Sequence, residues 1–221
     1  MSHPVPAVPA ATVVLLREGR DAPEVLLLRR SSKLAFHGGA WVFPGGRVDL
    51  DAGESDDDAG ARRAAAREAR EEAGLEIDPT SFVQLSHWTT PEGVPRRFAT
   101  WFYVAEIGRV EVRVDGGEIH EHRWFPIEAA LAAQRAKEIE LPPPTFVSLA
   151  VLARHRSPRE ALAAIAAEEP LVYLPRIVSG ATGSASLYPG DAGWETRALD
   201  APGARHRLVF LDTGWRYLRE P

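Results

Sequence analysis

Apolar and polar positions divide the chain into alternating strand-like and helix-like segments. Four runs rich in Val, Leu and aromatic residues predict β-strands, at residues 11–16, 24–29, 98–107 and 110–114. Gly116 and Gly117 mark a turn after the last of these. From Leu171 onward the pattern predicts strands and turns, with residues 207–218 forming a hairpin around Thr213-Gly214.

Three segments have the composition and end signals of helices, at residues 59–73, 127–135 and 160–169. Gly74 supplies the stop of the first helix, and Pro126 is predicted as the first residue of the second. A capping box that begins at Ser157 predicts the start of the third. The alternation predicts one mixed α/β domain with its C-terminal tail packed onto it.

Composition narrows the class of protein. The chain has 221 residues, 45% of them apolar, and 26 Lys+Arg against 31 Asp+Glu give a net charge of −5. A net acidic chain is not typical of proteins that bind nucleic acid through a basic stripe. No apolar run approaches the roughly 18–20 residues that cross a bilayer, and the first ten residues do not resemble a secretory signal. Cysteine is absent, which excludes disulfides, and we expect a cytoplasmic protein without a membrane partner.

The segment 49–58 holds six acidic side chains and almost no apolar ones. This composition favours a solvated, mobile insertion.

The helix predicted at residues 59–73 carries an unfavourable group of charges. Glu68, Glu71 and Glu72 share one face, where like charges repel by roughly 0.2–0.5 kcal/mol per pair. They also lie in the last turns, where the helix dipole disfavours anions. A hard divalent cation such as Mg²⁺ would reverse both penalties. The alternative is an exposed helix in which Arg67 simply pairs with Glu71.

A glycine pair upstream favours the metal interpretation. Gly45 and Gly46 follow Phe43-Pro44 and can bring bare backbone close to a metal or a phosphate. Because no Lys-Ser/Thr follows them, this is not a P-loop. Such a loop before a carboxylate-rich helix suggests metal-assisted phosphoryl chemistry.

Together these motifs resemble the signature of the Nudix hydrolases. The second half of that signature matches from Arg67 to Leu75, with Ala69 smaller than the usual aliphatic residue. The first half is stretched: Gly46 to Glu54 encloses seven residues where the family has five, and Glu54 to Arg67 encloses twelve where it has seven. The extra residues fall in the acidic segment.

A second similarity concerns the coenzyme A diphosphatase branch. It rests on the segments Leu27–Ser31, Gly39, Phe43–Gly46, His87–Pro91 and Arg97–Thr100, and on the helices after Pro142-Pro143-Pro144. The branch often has an Arg between the first two segments, where this chain has Ala35. The resemblance covers roughly residues 10–170.

The family resemblance implies a fold and an activity. The fold would be the Nudix fold of the α/β (α+β) class: one domain over residues 1–221, with a mixed sheet sandwiched between helices. Its core would span about 10–140, and C-terminal helices and a β tail would occupy about 141–221. The activity would be Mg²⁺- or Mn²⁺-dependent cleavage of a nucleoside diphosphate-linked small molecule, with coenzyme A or an acyl-CoA preferred. Glu68, Glu71, Glu72 and the Gly46 carbonyl would hold the metal, and Arg67 would orient the carboxylates.

Further residues are candidates for the same site. Glu118 and Glu121 precede Trp124, where the family often has an acidic base or an extra metal ligand; otherwise both are solvated loop residues. Arg30 and Arg97 can bind phosphate bidentately, although each could form a surface ion pair instead. Phe98, Trp88 and Trp101 could stack on a base, although aromatic residues in strands are more often core. His120 and His122 lack a third histidine nearby, so a zinc site is disfavoured.

Two other functions remain open from the sequence. One is hydrolysis of ADP-ribose, dinucleotides or nucleotide sugars. The other is a nucleotide sensor without hydrolytic activity, which the stretched signature would allow but the retained carboxylates argue against. The sequence also leaves a homodimer open.

Overall fold

The computed structural model describes residues 5–32, 38–51, 53–180 and 183–221. Ala35, Ala52 and the beginning of the glycine-rich stretch at His37 lie outside the described residues. Twelve strands and four α-helices occupy the described part: β1 Val8–Arg17, β2 Glu24–Arg30, β3 Trp41–Val42, β4 Gly45–Arg47, α1 Asp58–Ala73, β5 Val83–Thr89, β6 Phe98–Glu106, β7 Ile119–Pro126, α2 Ile127–Arg135, α3 Pro143–Leu152, α4 Pro158–Ala166, β8 Leu171–Tyr173, β9 Arg176–Gly180, β10 Gly183–Leu187, β11 Arg205–Leu211 and β12 Gly214–Glu220.

The main sheet is mixed. β1 runs parallel to β6 along residues 8–16, and β5 pairs with β6 on one side and with β8 on the other. The other edge of β1 is shared: β2 pairs at Leu16 and Arg17, whereas β4 pairs at residues 10–12. β1 and β2 therefore diverge, and the segment with β3 and β4 fills the gap between them. The candidate site lies beside this gap.

Two hydrophobic clusters cover the two faces of the sheet. Alternate residues of β1, such as Val13 and Leu15, are fully buried against the alanine face of α1. The intervening residues, such as Val14 and Leu16, are buried on the other face with α2, α3 and α4. The mixed sheet between helices agrees with the expected Nudix fold.

The start and end of α1 follow from its end signals. The Asp57 side chain accepts a 2.8 Å hydrogen bond from the backbone N–H of Gly60, which caps the first turn. Gly74 takes a left-handed conformation with φ of 68°, and its N–H bonds back to Arg70. Ala residues let the helix approach the sheet closely, and this proximity brings the carboxylates of its last turns to β4.

The tail forms a second, antiparallel sheet of four strands in the order β12-β11-β10-β9. Tyr188 and Leu208 from this sheet are fully buried in the same cluster as Trp88 of the main sheet. The predicted hairpin at residues 207–218 is present as β11 and β12, and the tail packs onto the core.

Two predicted elements differ from the structure. Residues 110–114 are not a strand, because the N–H of Arg113 donates to the carbonyl of Ala73 at the end of α1 rather than to a neighbouring strand. The helix predicted at residues 160–169 ends at Ala166, since Pro170 disfavours helical backbone in the residue before it. Among the described residues, no helix combines the length and the apolar character that crossing a membrane requires.

Candidate functional site

The centre of the site is the contact between the end of α1 and the glycines of β4. The backbone N–H of Gly45 donates a 3.0 Å hydrogen bond to Glu72 Oε2. A Cβ at Gly46 would lie 2.2 Å from Glu68 Oε1, and a Cβ at Gly45 would lie 2.4 Å from Thr12 Oγ1. Both positions therefore need bare backbone, and the glycine pair holds the two carboxylates against the sheet.

Glu72 is a buried acid with little to balance its charge. It is 7% exposed, and burial raises its pKa from the usual 4.5 to about 8, although the Gly45 hydrogen bond acts the other way. Glu68 raises the pKa of Glu72 further, and burial also raises the pKa of Glu68. The neighbouring carboxylates thus oppose each other's ionisation, and a bound cation would favour the ionised form of both.

Arg67 connects the carboxylates to one another. Its Nη1 donates to Glu68 Oε1 at 2.7 Å and to Glu71 Oε2 at 3.2 Å, and its Nε donates to Glu54 Oε1 at 3.0 Å. Its Nη2 donates to the carbonyl of Arg47 at 2.8 Å, directly after Gly46. Arg67 therefore pairs with Glu71, as the alternative of a simple exposed helix predicted. It also contacts Glu68 and fixes the direction of that side chain.

The donor set fits a hard divalent cation, although the described residues contain no ready group of three His, Asp or Glu side chains around one point. Arg67 Nη1 engages one carboxylate oxygen of Glu68 and one of Glu71. Glu71 is about half exposed and can turn. Mg²⁺ and Mn²⁺ prefer carboxylate and backbone carbonyl oxygens as ligands. The site offers such oxygens, because Glu72 is buried here and Glu68 lies close to it. The metal role of Glu68, Glu71, Glu72 and the Gly46 carbonyl stays a prediction.

The acidic segment is more than a solvated insertion. Glu54 has a side chain only 9% exposed, and it accepts hydrogen bonds from Arg67 and from the Asp49 N–H. Asp57 caps α1. The interpretation of residues 49–58 as merely solvated is therefore wrong for Glu54 and Asp57. The spacing of residues along the sequence could not predict the Glu54–Arg67 contact, because twelve residues separate the two.

Arg30 and Glu118 lie on the open side of the carboxylates. Arg30 Nη2 is 3.5 Å from Glu118 Oε2, and the Arg30 side chain is about one-fifth exposed. The charge of Arg30 lowers the pKa of Glu72, and that of Glu118 raises it, as lesser causes after burial, so both charges are close enough to act on Glu72. The Nε of Arg30 is buried without a hydrogen-bond partner. An incoming acceptor would meet the exposed part of the Arg30 guanidinium rather than this Nε.

Glu121 is separated from this group. It pairs with Arg29 across the β2–β7 ladder, and its carboxylate lies 3.2 Å from Arg29 Nη1 and 3.4 Å from Arg123 Nη2. The guanidinium of Arg123 covers the rings of Trp41 and Phe125, which belong to the cluster on the sheet face away from α1. The structure therefore brings Glu118, but not Glu121, to the Glu68–Glu72 group.

Arg97 and Phe98 stabilise an edge of the fold. Arg97 Nε donates to the Thr90 carbonyl at 3.1 Å and its Nη1 donates to the Val5 carbonyl at 2.8 Å. The Phe98 N–H bonds to Thr90 Oγ1 at 3.0 Å, where β6 begins opposite Val8. Gly46 pairs three residues further along β1, about 10 Å away along the strand. Neither residue is gathered at the carboxylates.

The other candidates have structural roles. Trp88 is buried and stacks on Tyr173 with ring centroids 3.9 Å apart, so it belongs to the core. Trp101 meets His87 edge-to-face at 5.1 Å. His120 Nε2 lies 2.9 Å from Ser31 Oγ rather than in a histidine cluster. The sequence reasoning missed Thr12, whose hydroxyl donates to the Pro44 carbonyl before the glycines; a lone Thr within an apolar strand was the available signal.

Comparisons with known proteins agree with this geometry. The family described as NUDIX domain matches residues 6–144. A relative described as "Putative nudix hydrolase 7" from Caenorhabditis elegans is 28% identical over 182 residues, covering 66% of this chain and 60% of that protein. The chain thus spans well under two thirds of the length of this relative.

Solved structures share the fold. A NUDIX hydrolase from Alicyclobacillus acidocaldarius superposes with a TM-score of 0.65 at 23% identity, covering 74% of this chain and 99% of the other. The NUDIX domain of Shewanella oneidensis NrtR, solved in complex with ADP ribose, gives a TM-score of 0.53 at 17% identity, covering 66% and 86%. Because the family match covers more than half of the residues and the carboxylate helix meets the glycine strand within it, the chain belongs to the NUDIX domain family.

Proposed function

We propose that the protein hydrolyses a diphosphate linkage in a nucleoside diphosphate-linked small molecule with the help of Mg²⁺ or Mn²⁺. The observation that carries this proposal is the buried Glu72 carboxylate, which is bonded to Gly45 and faces Glu68 and Arg30. A buried acid beside a second carboxylate lowers the stability of the fold, and such costly groups are typical of functional sites. Binding of a cation by both carboxylates would explain why they lie together.

Each residue would have a definite task. Glu68, Glu71 and Glu72 with the Gly46 carbonyl would hold the cation, which when bound would neutralise diphosphate oxygens and acidify a water. Arg67 would keep Glu68 directed at β4, as its 2.7 Å contact already does. Arg30 would donate to a substrate phosphate through its guanidinium, since about one-fifth of its side chain is exposed.

Glu118 is the better of the two acidic candidates for a base or an extra ligand. Its carboxylate contacts Arg30 and acts on the pKa of Glu72, whereas Glu121 is engaged with Arg29 and Arg123 on the other face of the sheet. A Glu118→Gln variant should therefore lose activity, and Glu121→Gln should not.

For the substrate, we propose coenzyme A or an acyl-CoA, with 3′,5′-ADP and a 4′-phosphopantetheine as products. This rests on the segments that resemble the coenzyme A diphosphatase branch, which include Gly45 and Gly46 against the carboxylates and Arg30, whose charge acts on Glu72. A cationic group that faces the catalytic carboxylates, here Arg30, suits a substrate with several phosphates.

The test is a cleavage screen with product identification by mass spectrometry. The purified protein with Mg²⁺ or Mn²⁺ would be given coenzyme A, acyl-CoAs, ADP-ribose, NADH and diadenosine polyphosphates. Cleavage of coenzyme A to 3′,5′-ADP supports the full proposal. Preferred cleavage of ADP-ribose or a dinucleotide would keep the chemistry and reject the substrate, and binding without cleavage of any compound would indicate a sensor.

A further inference from the structure

The ladder between β2 and β7 contains a one-residue irregularity next to the site. Pairing is regular from Glu24 to Arg29, with Arg29 opposite Glu121. The next residue, Arg30, pairs with Ile119 instead of His120. His120 is therefore the extra residue of a β-bulge, a feature that redirects side chains and is common beside active sites.

The bulge reverses which face of the sheet the chain presents. Glu121 lies on the face away from α1, and in a regular strand Ile119 would lie on that face too. Ile119 is instead fully buried in the cluster beneath α1. The bulge therefore places Ile119 beneath α1, and Glu118, directly before it, contacts Arg30 of β2 at 3.5 Å.

Ser31 holds the bulge from the opposite strand. Its N–H donates a 2.7 Å hydrogen bond to the Glu118 carbonyl, and its Oγ lies 2.9 Å from His120 Nε2. Ser31 is itself 4% exposed. These two bonds on either side of Ile119 fix the backbone of Arg30 and Ser31 against residues 118–120.

Among the described residues, few contacts fix the side chain of Arg30. Its contact with Glu118 is long, at 3.5 Å, and its Nε is buried without a partner. The direction of the guanidinium toward Glu72 therefore depends on where the backbone at Arg30 is held. That backbone is bonded to Gly39 and Ala40 on one side, and on the other side the neighbouring Ser31 is bonded to Glu118 and His120.

We propose that Ser31 and His120 are positioning residues, which act through Arg30 and Glu118 on the hydrolysis proposed above. The expected effect on kinetics rests on the proposed function, whereas the positioning of Arg30 and Glu118 rests only on the geometry of the bulge. Neither residue needs to touch the substrate. Their hydrogen bond keeps the Arg30 donor and the Glu118 carboxylate at a fixed place beside Glu72.

The kinetic test compares Ser31→Ala, His120→Ala, the double variant and His120→Gln, whose amide can replace the Nε2 contact. Loss of an outer contact of this kind typically lowers activity about 10- to 100-fold. We expect each Ala variant to lose about tenfold in kcat/KM, mainly through KM, and the double variant to lose little more, since both remove the same bond. His120→Gln should recover most of the loss. His122→Ala, an exposed histidine of the same strand, is the matched control and should be unchanged.

A background variant separates positioning from general destabilisation. In Arg30→Ala, the further change His120→Ala should alter kcat/KM less than about twofold, because the group it positions is gone. Losses that multiply in full would overturn the proposal, as would wild-type kinetics in both Ala variants.

The second readout does not depend on turnover. The Arg30 Nε–H signal in a ¹⁵N NMR spectrum, assigned from its absence in Arg30→Ala, reports how well this buried donor is shielded. We expect its exchange with water to be at least about tenfold faster in Ser31→Ala and His120→Ala, and unchanged in His122→Ala. Unchanged exchange in both Ala variants would overturn the proposal. If the wild-type protein cleaves no substrate, the proposed function fails, and the exchange rates alone decide the positioning inference.

Discussion

The backbone N–H of Gly45 donates a 3.0 Å hydrogen bond to the carboxylate of Glu72, which is almost completely buried. Together with the bond from Arg67 to the Arg47 carbonyl, this contact joins the glycine strand to the carboxylate helix. It offsets only part of the cost of burying the acid, since the pKa of Glu72 still rises to about 8 because of burial and the nearby Glu68. The site is therefore strained electrostatically without a cation, and this strain is measurable.

The first prediction concerns pH. Because the folded protein holds a proton on Glu72 up to a pKa of about 8 while the unfolded chain releases it near 4.5, the folded state binds more protons between these values. The stability that this group contributes is present in full below 4.5 and is lost as pH rises through 8. In EDTA, the urea midpoint should fall across this range, and Glu72→Gln should flatten the fall. Parallel curves for the two proteins would contradict the assignment.

The second prediction concerns Gly46. A Cβ there would lie 2.2 Å from Glu68 Oε1, so Gly46→Ala must displace Glu68 or the strand. A displacement of about 1 Å at a reacting site can cost roughly a hundredfold in rate. We expect kcat/KM to fall by about that factor. Gly108→Ala is the control, because a Cβ at Gly108 meets nothing within 4 Å, and it should retain activity. If Gly46→Ala were as active as the Gly108→Ala control, position 46 would not require a residue without a side chain.

The third prediction concerns the acidic segment. Asp57→Ala removes the cap of α1 and should lower the free energy of unfolding by about 1 kcal/mol, within the usual range of roughly 0.5–2 kcal/mol. Asp51→Ala, an exposed acidic residue of the same segment, should change it by less than about 0.5 kcal/mol. Denaturant titration of the three proteins compares them. Equal denaturant midpoints for the three proteins would show that Asp57 does not stabilise α1 and is only a solvated residue of the insertion.

The fourth prediction concerns the substrate class. Coenzyme A carries a 3′-phosphate that dephospho-coenzyme A lacks, and a charge-assisted hydrogen bond to it is worth roughly 1.5–3 kcal/mol. We expect coenzyme A to be cleaved at least about tenfold more efficiently. Arg30→Ala should reduce this preference, and it should lower the turnover of both substrates because Arg30 also acts on the pKa of Glu72. Arg97→Ala should keep the preference, since Arg97 is bonded to the Val5 and Thr90 carbonyls. Equal efficiency of the wild-type enzyme on both substrates would reject coenzyme A.

The sequence allowed prediction of those parts of the site that depend on local chemistry. The Gly74 stop gave the end of α1, and helical spacing put Glu68 and Glu72 on one face next to β4. Periodicity could not reveal contacts between distant segments. Residues 110–114 look like a strand, but their backbone bonds to the end of α1. Nothing in the spacing signalled the Glu54–Arg67 contact, because it closes a loop whose length differs from the family signature.

Contacts between segments that are distant in sequence also explain why other predicted site residues have different roles in the structure. Arg97 looks like a phosphate ligand by residue type, yet two backbone carbonyls occupy its guanidinium. Glu118 and Glu121 are equivalent candidates along the sequence, and only the fold shows that Glu118 contacts Arg30 whereas Glu121 pairs with Arg29 and Arg123. The bulge at His120 likewise places Ile119 on the face opposite to Glu121. A single unpaired residue in a ladder changes the face of its neighbours and leaves no compositional trace.

The central claim, that Glu72 is a cation ligand for diphosphate hydrolysis, is tested most directly by the turnover of Glu72→Gln with saturating Mg²⁺. We expect this variant to fold, to be at least as stable as the wild type without metal, and to lose about two to four orders of magnitude in kcat. Glu76→Gln, an exposed acidic residue just beyond α1, should turn over like the wild type. A folded Glu72→Gln protein with near-wild-type turnover would contradict the metal assignment at its centre.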